Sequence, residues 1–242
     1  MDKNNPFKEV FLFFPFQRYL SGHKKYVTME KQIDSRIESE RKFWNSKAHS
    51  YDKVVSKFFP KIYETILVNL IQDVSHSEKV LEVAAGTGIL SIQMSGHVSH
   101  ITAIDIAPEM LKIAKEKSLR LQKNNIDFQV GDICSLKFDN KSFDTVVASN
   151  VLHLLHKPEL ALQEIIRVVK DRGKIIIPTF CHGANLRSNI LSRIFALMGQ
   201  KTKSRWSQKT FKEFVENNGF AITKEIYMNG MIPLIYLVAI KK

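Results

Sequence analysis

Between residues 79 and 180, short apolar runs alternate with helical stretches, and the first run ends in a turn of small residues. Lys79–Ala84 is a strand-length run, followed by Ala84-x-Gly86-x-Gly88 and a helical stretch near Ile89–Ser95. His100–Asp105 reads as a second strand. Pro108 then opens a helix over Glu109–Leu121, at a position where its missing N–H is no loss. Ile126–Val130 and Phe143–Ser149 are the third and fourth strands, Pro158–Val169 is a helix ending near Gly173, and Lys174–Phe180 is the fifth strand. Regular strand–helix alternation calls for a parallel sheet covered by helices on both faces.

The flanks differ. Residues 30–47 mix charges with Ile33, Ile37, Phe43 and Trp44, the pattern of an amphipathic helix, and residues 57–73 repeat it with Phe58, Ile62, Ile66, Leu67 and Leu70. Residues 1–28 read as an N-terminal arm, with Met29 a second candidate start, and residues 29–75 as a helical leader or lid. The sheet domain is expected over 76–242. Within it, residues 181–206 break the rhythm with a basic insertion holding an apolar helical stretch at 190–198. Thr210–Asn217 is then a helix stopped by Gly219, and Ala221–Met228 and Ile232–Ile240 are two strands joined at Asn229-Gly230. A terminal pair with so short a connection implies an antiparallel edge.

Composition narrows the class. The 242 residues are 44% hydrophobic and 25% charged, enough for one α/β domain with additions. The two cysteines, Cys134 and Cys181, have no metal-ligand spacing, so neither a disulfide framework nor a zinc site is expected, and a reducing cytoplasm suits the chain. No apolar run reaches the ~20 residues that span a bilayer. The net charge of +12 is localised: residues 1–61 hold 13 basic and 7 acidic residues, residues 181–212 hold 7 basic and no acidic, and the rest is nearly balanced. Basic segments beside the phenylalanines of residues 7–16 and the apolar 190–198 stretch suit an anionic or lipid-like acceptor and peripheral membrane contact. A solvated surface is the plainer reading of the same charge.

Ligands of such sheets bind beyond the strand carboxyl ends. The first strand delivers Glu82 to the glycine turn, and small residues there let the backbone approach a ligand closely. The second strand ends in Asp105, where an acid can accept both hydroxyls of a ribose. The third ends at Gly131-Asp132, placed to meet an adenine edge. The fourth ends at Ser149-Asn150, with His153 just beyond.

These segments resemble a known family. Val80-Leu81-Glu82-Val83-Ala84-Ala85-Gly86-Thr87-Gly88, Ile104-Asp105-Ile106-Ala107-Pro108-Glu109-Met110-Leu111, Gly131-Asp132-Ile133 and Phe143-Asp144-Thr145-Val146-Val147 through Leu152-His153 resemble the successive motifs of class I S-adenosylmethionine-dependent methyltransferases. Arg167-Val168-Val169-Lys170 before Gly173 is similar to the turn leading into strand five. The leader Phe43-Trp44-Asn45 through Ala48-His49-Ser50-Tyr51-Asp52 is similar to the ubiquinone/menaquinone methylase branch. The resemblance implies a doubly wound, Rossmann-like sheet of seven strands, mostly parallel, with an antiparallel C-terminal strand. It implies S-adenosylmethionine as cofactor, held by Glu82, Ala84, Gly86, Gly88, Asp105, Ile106, Asp132, Ile133 and Asn150, with Tyr51 closing over it. Ala84 departs from the glycine many relatives carry, and Asp171-Arg172-Gly173 replaces a common Pro-Gly-Gly turn.

A sulfonium methyl is already activated, so such an enzyme mainly aligns a nucleophile and excludes water. A base is needed only for a protonated nucleophile, and His153 is the candidate; a packing histidine is the alternative. Phe58 and Phe59 read as core, Cys134 as inert, His156 as a surface helix-start residue, and Trp206 either lines the acceptor pocket or anchors the next helix. Three other classes compete. A nicotinamide oxidoreductase is disfavoured because Gly86-x-Gly88-x-x-Ser91 lacks the third small residue. An RNA or other nucleic-acid methyltransferase, suggested by the basic charge, lacks an Asn/Asp-Pro-Pro-Tyr/Phe or Pro-Cys signature. A non-catalytic cofactor-binding protein stays open, because the fold does not fix activity. The reading that emerges is methyl transfer to a small molecule, lipid or quinone-like, with no nucleic-acid partner.

Overall fold

The computed structural model describes residues 16–182, 202–230 and 232–242. Chain contacts divide it into residues 1–39 and residues 40–242. The described part of the first unit is helical and belongs to α1 (Phe16–Phe58). The second unit continues through α2 (Pro60–Val74), β1 (Lys79–Val83), α3 (Ile89–Met94), β2 (His100–Asp105), α4 (Pro108–Arg120), β3 (Ile126–Val130) and β4 (Phe143–Ala148). A 3₁₀ turn at Leu152–Leu154 precedes α5 (Pro158–Val168) and β5 (Val169–Phe180), and the last described elements are α6 (Gln208–Asn217), β6 (Phe220–Met228) and β7 (Leu234–Lys241).

The sheet has the order β3-β2-β1-β4-β5-β7-β6. Strands β1 to β5 pair in parallel, and β7 is antiparallel to both β5 and β6. Period-two alternation divides the strands between two cores. Leu81, Val83, Val146, Ile175, Ile177 and Leu237 face α5 and α6, together with Leu162, Ile165, Phe211 and Val215. Val80, Val147, Ile176, Tyr236 and Val238 face the other layer, with Ile66 and Leu70 of α2, Met94 of α3 and Leu111 and Ala114 of α4. Apolar residues on both strand faces make this a sheet buried on both sides, as parallel sheets must be.

Four expectations change. The two leader helices are separated only at Phe59, because residues 48–56 contain no glycine or proline and the first breaker is Pro60, at the start of α2. Helix also extends back into the expected arm, to Phe16. β5 begins at Val169 rather than Lys174: Val169 pairs with Phe143 and Lys174 with Thr145, so the residues between them bulge out of the ladder, with Arg172 at φ 63°. The terminal pair does form an antiparallel edge, with β6 outermost and β7 inserted between β5 and β6. Phe58 is 45% exposed rather than core, whereas Phe59 packs on Phe180 with ring centroids 4.9 Å apart. The 190–198 stretch, residues 1–15 and most of the basic insertion lie outside the described residues.

Candidate active site

The turn after β1 is built by backbone geometry. Ala84, Gly86 and Gly88 all have positive φ, at 54°, 56° and 73°. Gly88 also admits no Cβ, which would stand 2.9 Å from the Cβ of Ala114. Ala84 thus occupies a left-handed conformation that costs an L-residue roughly 1–2 kcal/mol and that glycine adopts freely.

Two acids converge beneath this turn. Asp105, at the end of β2, accepts the Gly86 N–H on one oxygen and the Ala107 N–H on the other, each at 2.8 Å. Burial pushes its carboxyl up to about 6 against these hydrogen bonds. Glu82, buried in β1, is bonded by the Ser91 hydroxyl, and burial pushes it up to about 8. Each Asp105 oxygen spends one lone pair on the backbone and keeps another for a donor, which fits a pair of ribose hydroxyls.

From the other side, α1 and α2 bring Tyr51 and Tyr63 together, with hydroxyls 3.4 Å apart. The adjacent Tyr63 and then burial hold the Tyr51 phenol well above its ordinary range; Asp105 and Asp52 add to the effect. Trp44 meets Tyr51 edge to face at 6.3 Å. Asn150, at φ 53°, accepts the Phe180 N–H through Oδ1 and so fastens the ends of β4 and β5. Burial holds the Tyr63 phenol above its ordinary range, and the neighbouring Tyr51 and Asn150 side chains lower it. Glu82, Asp105, Tyr51, Asn150 and the glycine turn therefore form one neighbourhood. Ile106 and Ile133 follow the ends of β2 and β3, with Ile133 buried in the α5-side core. Asp132 accepts the Cys134 N–H at 2.9 Å and shapes its own turn.

His153 lies on the 3₁₀ turn after β4, 2% exposed, and its Nδ1 has no hydrogen-bond partner. Its ring is 5.0 Å from that of His182, beyond the end of β5. Burial and then His182 hold the His153 imidazole well below its usual range; burial and then Arg205 bring His182 down to about 4. Both rings are neutral at pH 7. Phe180 completes the group, 6.4 Å from His182. Trp206 stacks on Phe214 at 4.8 Å and touches Phe211, so it anchors α6. Sequence reasoning missed Asp52, Tyr63, Thr87, Lys117 and His182. Asp52 and Thr87 carried a signal, as members of the leader and glycine-turn motifs; Tyr63, Lys117 and His182 carried none.

A parallel sheet with a glycine turn after β1, an acid ending β2 and one inserted antiparallel strand defines a nucleotide-binding α/β domain of the methyltransferase type. A model of the methyltransferase domain matches residues 81–177. A demethylmenaquinone methyltransferase of Paenarthrobacter aurescens (strain TC1) is 30% identical over 180 residues, 71% of this chain and 69% of the relative. Another, from Renibacterium salmoninarum, is 31% identical over 153 residues, but the match spans only 62% of each chain. The structure titled DhpI-SAH complex superposes with a TM-score of 0.68 at 18% identity, covering 85% of this chain and 96% of that one, a likeness of fold. The chain belongs to the class I S-adenosylmethionine-dependent methyltransferase family, within its methyltransferase-domain branch that includes menaquinone methylases.

Proposed function

We propose that this protein transfers a methyl group from S-adenosylmethionine to a quinone-like aromatic small molecule that carries an acidic hydroxyl. The observation that carries the reading is the adjacency of two half-sites at the carboxyl ends of the parallel strands. The turn at Ala84–Gly88 with Asp105 suits the cofactor, and His153, His182 and Phe180 at the ends of β4 and β5 suit a flat acceptor. When bound, the sulfonium supplies the activated methyl. The chain's own residues do the rest. Asp105 and the turn orient the cofactor, Tyr51 with the end of α1 shields it from water, and Phe180 lies against the acceptor ring. His153 accepts a hydrogen bond from the acceptor hydroxyl through Nδ1.

A neutral, desolvated imidazole is a weak base, so His153 orients the hydroxyl and takes its proton only as methyl transfer proceeds. The positive charge of Arg205, which depresses His182, favours an acceptor that develops negative charge. Names of the relatives point to a menaquinone precursor as the first acceptor to try. A lipid-soluble acceptor also places the protein at a membrane surface, as the basic segments suggest. Among the described residues no helix is long and apolar enough to cross a membrane.

The test is incubation of the protein with methyl-labelled S-adenosylmethionine and either a demethylmenaquinone reduced to its hydroquinone, the form that carries the hydroxyl, or fractionated cell extract. Label in the quinone or lipid fraction is the expected result. Label in RNA alone, or no S-adenosylhomocysteine formed with any fraction, overturns the reading. His153→Ala is expected to lower kcat by about 100-fold while cofactor affinity is kept. For the membrane part, salt-sensitive co-sedimentation with anionic but not neutral vesicles is expected, weakened by Lys203→Gln with Arg205→Gln; absence of binding at low salt removes it.

A further inference from the structure

The last third of α1 meets the cofactor edge along a single helical stripe. Arg41, Asn45, Ala48 and Asp52 follow at steps of four, three and four residues and so share a face. Arg41 Nε donates to the Ile106 carbonyl at 3.2 Å. Asn45 Oδ1 accepts the Glu109 N–H at 3.0 Å and caps α4, whose own N-cap, Ala107, has no capping side chain. Ala48 is buried with Ala107 and Met110. At the end of the stripe, Asp52 uses both oxygens: one accepts the Thr87 hydroxyl, and the other accepts the Lys117 ammonium at 2.7 Å.

We propose that residues 41–58 form a detachable cover over the cofactor turn, and that Asp52 is the positioning residue that latches it. The inference rests on the S-adenosylmethionine reading above. Its basis is the way one carboxylate joins three elements. Asp52 reaches from α1 to the middle residue of Gly86-Thr87-Gly88 and to the last turns of α4. Apart from the Tyr51–Tyr63 hydroxyl contact and the buried Val55, the cover's apolar contact is one small cluster: Ala48, Ala107 and Met110 are buried, with Trp44, Tyr51, Ile106 and Ile113 packed against them, whereas α2 buries Ile62, Ile66, Leu70 and Val74 in the main core. A segment held by few apolar contacts and a handful of polar ones opens at low cost. The Asp52 and Lys117 side chains are 43% and 18% exposed, so release rehydrates both charges instead of stranding one in the interior. Arg41 and Asn45 bond backbone groups beside the turn, so opening the cover frees the strand end that carries Asp105. Cofactor entry and exit then depend on a bond made by neither the cofactor nor the acceptor.

The test measures release of S-adenosylhomocysteine by stopped flow, S-adenosylmethionine kinetics, and hydrogen exchange of the ligand-free protein. Asp52→Ala, Asp52→Asn and Lys117→Met are each expected to speed release by about tenfold and to raise KM in similar proportion, with kcat within about twofold of wild type. Lys117→Arg is expected to retain the wild-type rate. The Asp52→Ala/Lys117→Met double variant is expected to be little worse than Asp52→Ala, because the two share one latch. In the ligand-free protein the Glu109 amide is expected to exchange faster in Asp52→Ala, Asp52→Asn and Lys117→Met, and at the wild-type rate in Lys117→Arg. Wild-type release rates in the Asp52 variants, or strictly additive effects, overturn the latch. If the wild type binds no S-adenosylhomocysteine, the cofactor reading fails, and the exchange measurement decides the latch alone: unchanged Glu109 exchange overturns it.

Discussion

Asp105 shows how a residue serves the site and burdens the fold at once. Its carboxylate is buried, yet only the charged form satisfies both the Gly86 and Ala107 amides and a donor ligand. Because burial raises its folded-state value to about 6, cofactor affinity is expected to fall as pH drops below 6, where the carboxyl takes a proton and loses acceptor capacity. Calorimetry across pH 5–8 checks this. Asp105→Ala should weaken binding about tenfold at pH 7.5 by removing a charge-assisted hydrogen bond worth about 1.5–3 kcal/mol, and should abolish the pH dependence. For stability the two raised acids act in the same direction, and Glu82 acts over the wider pH range. An acid raised from 4.5 to about 8 on folding binds its proton more tightly in the folded chain, so its contribution is fully present below pH 4.5 and is lost as pH rises through 8. The melting temperature of the ligand-free protein should therefore decline between pH 5 and 8, and Glu82→Gln should flatten that decline. Ala84→Gly is a third test. It relieves a left-handed alanine and should stabilise the protein by about 1 kcal/mol in denaturant titration, despite the added freedom of the unfolded chain.

Among elements, α2 is tied to the C-terminal strands by one carboxylate. Asp73 accepts the Tyr236 hydroxyl at 2.7 Å and the Lys224 ammonium at 2.9 Å, while its backbone carbonyl accepts Lys174 Nζ at 2.6 Å. These contacts bind the end of α2 to β5, β6 and β7. Tyr236→Phe should cost about 1 kcal/mol and Asp73→Ala about 2–3 kcal/mol, since the alanine leaves a buried phenol and an ammonium without their acceptor; chemical denaturation measures both. None of this was legible in the sequence. The strands, the helix starts at Pro108 and Pro158, and the glycine turn were, because each is a matter of local period or backbone chemistry. The continuous α1 was misread for want of weight on the absence of any breaker before Pro60. The early start of β5 was hidden by Asp171-Arg172-Gly173, which reads as a turn but is a bulge inside a strand.

At the scale of the molecule, the legible half of the candidate site is the half that follows strands in order: Glu82 and Asp105 in the last residues of β1 and β2, Asp132 and Asn150 just beyond β3 and β4. The illegible half comes from residues brought together across the chain. Thr87 and Lys117 meet Asp52 at separations of 35 and 65 residues, and His182 meets His153 only because β4 and β5 are neighbours. Strand order has no local code either, and nothing before the structure placed the final strand inside the sheet. That insertion carries a consequence for synthesis. While the nascent chain lengthens, β5 presents Ile175, Ile176 and Ile177 along an unpaired edge, and β6 has no place to dock, because the strand between them is translated after both. The growing polypeptide must therefore hold a sticky margin open until β7 emerges from the ribosome, and a pause late in translation is when a chain of this design is most exposed to chaperones and to its own aggregation.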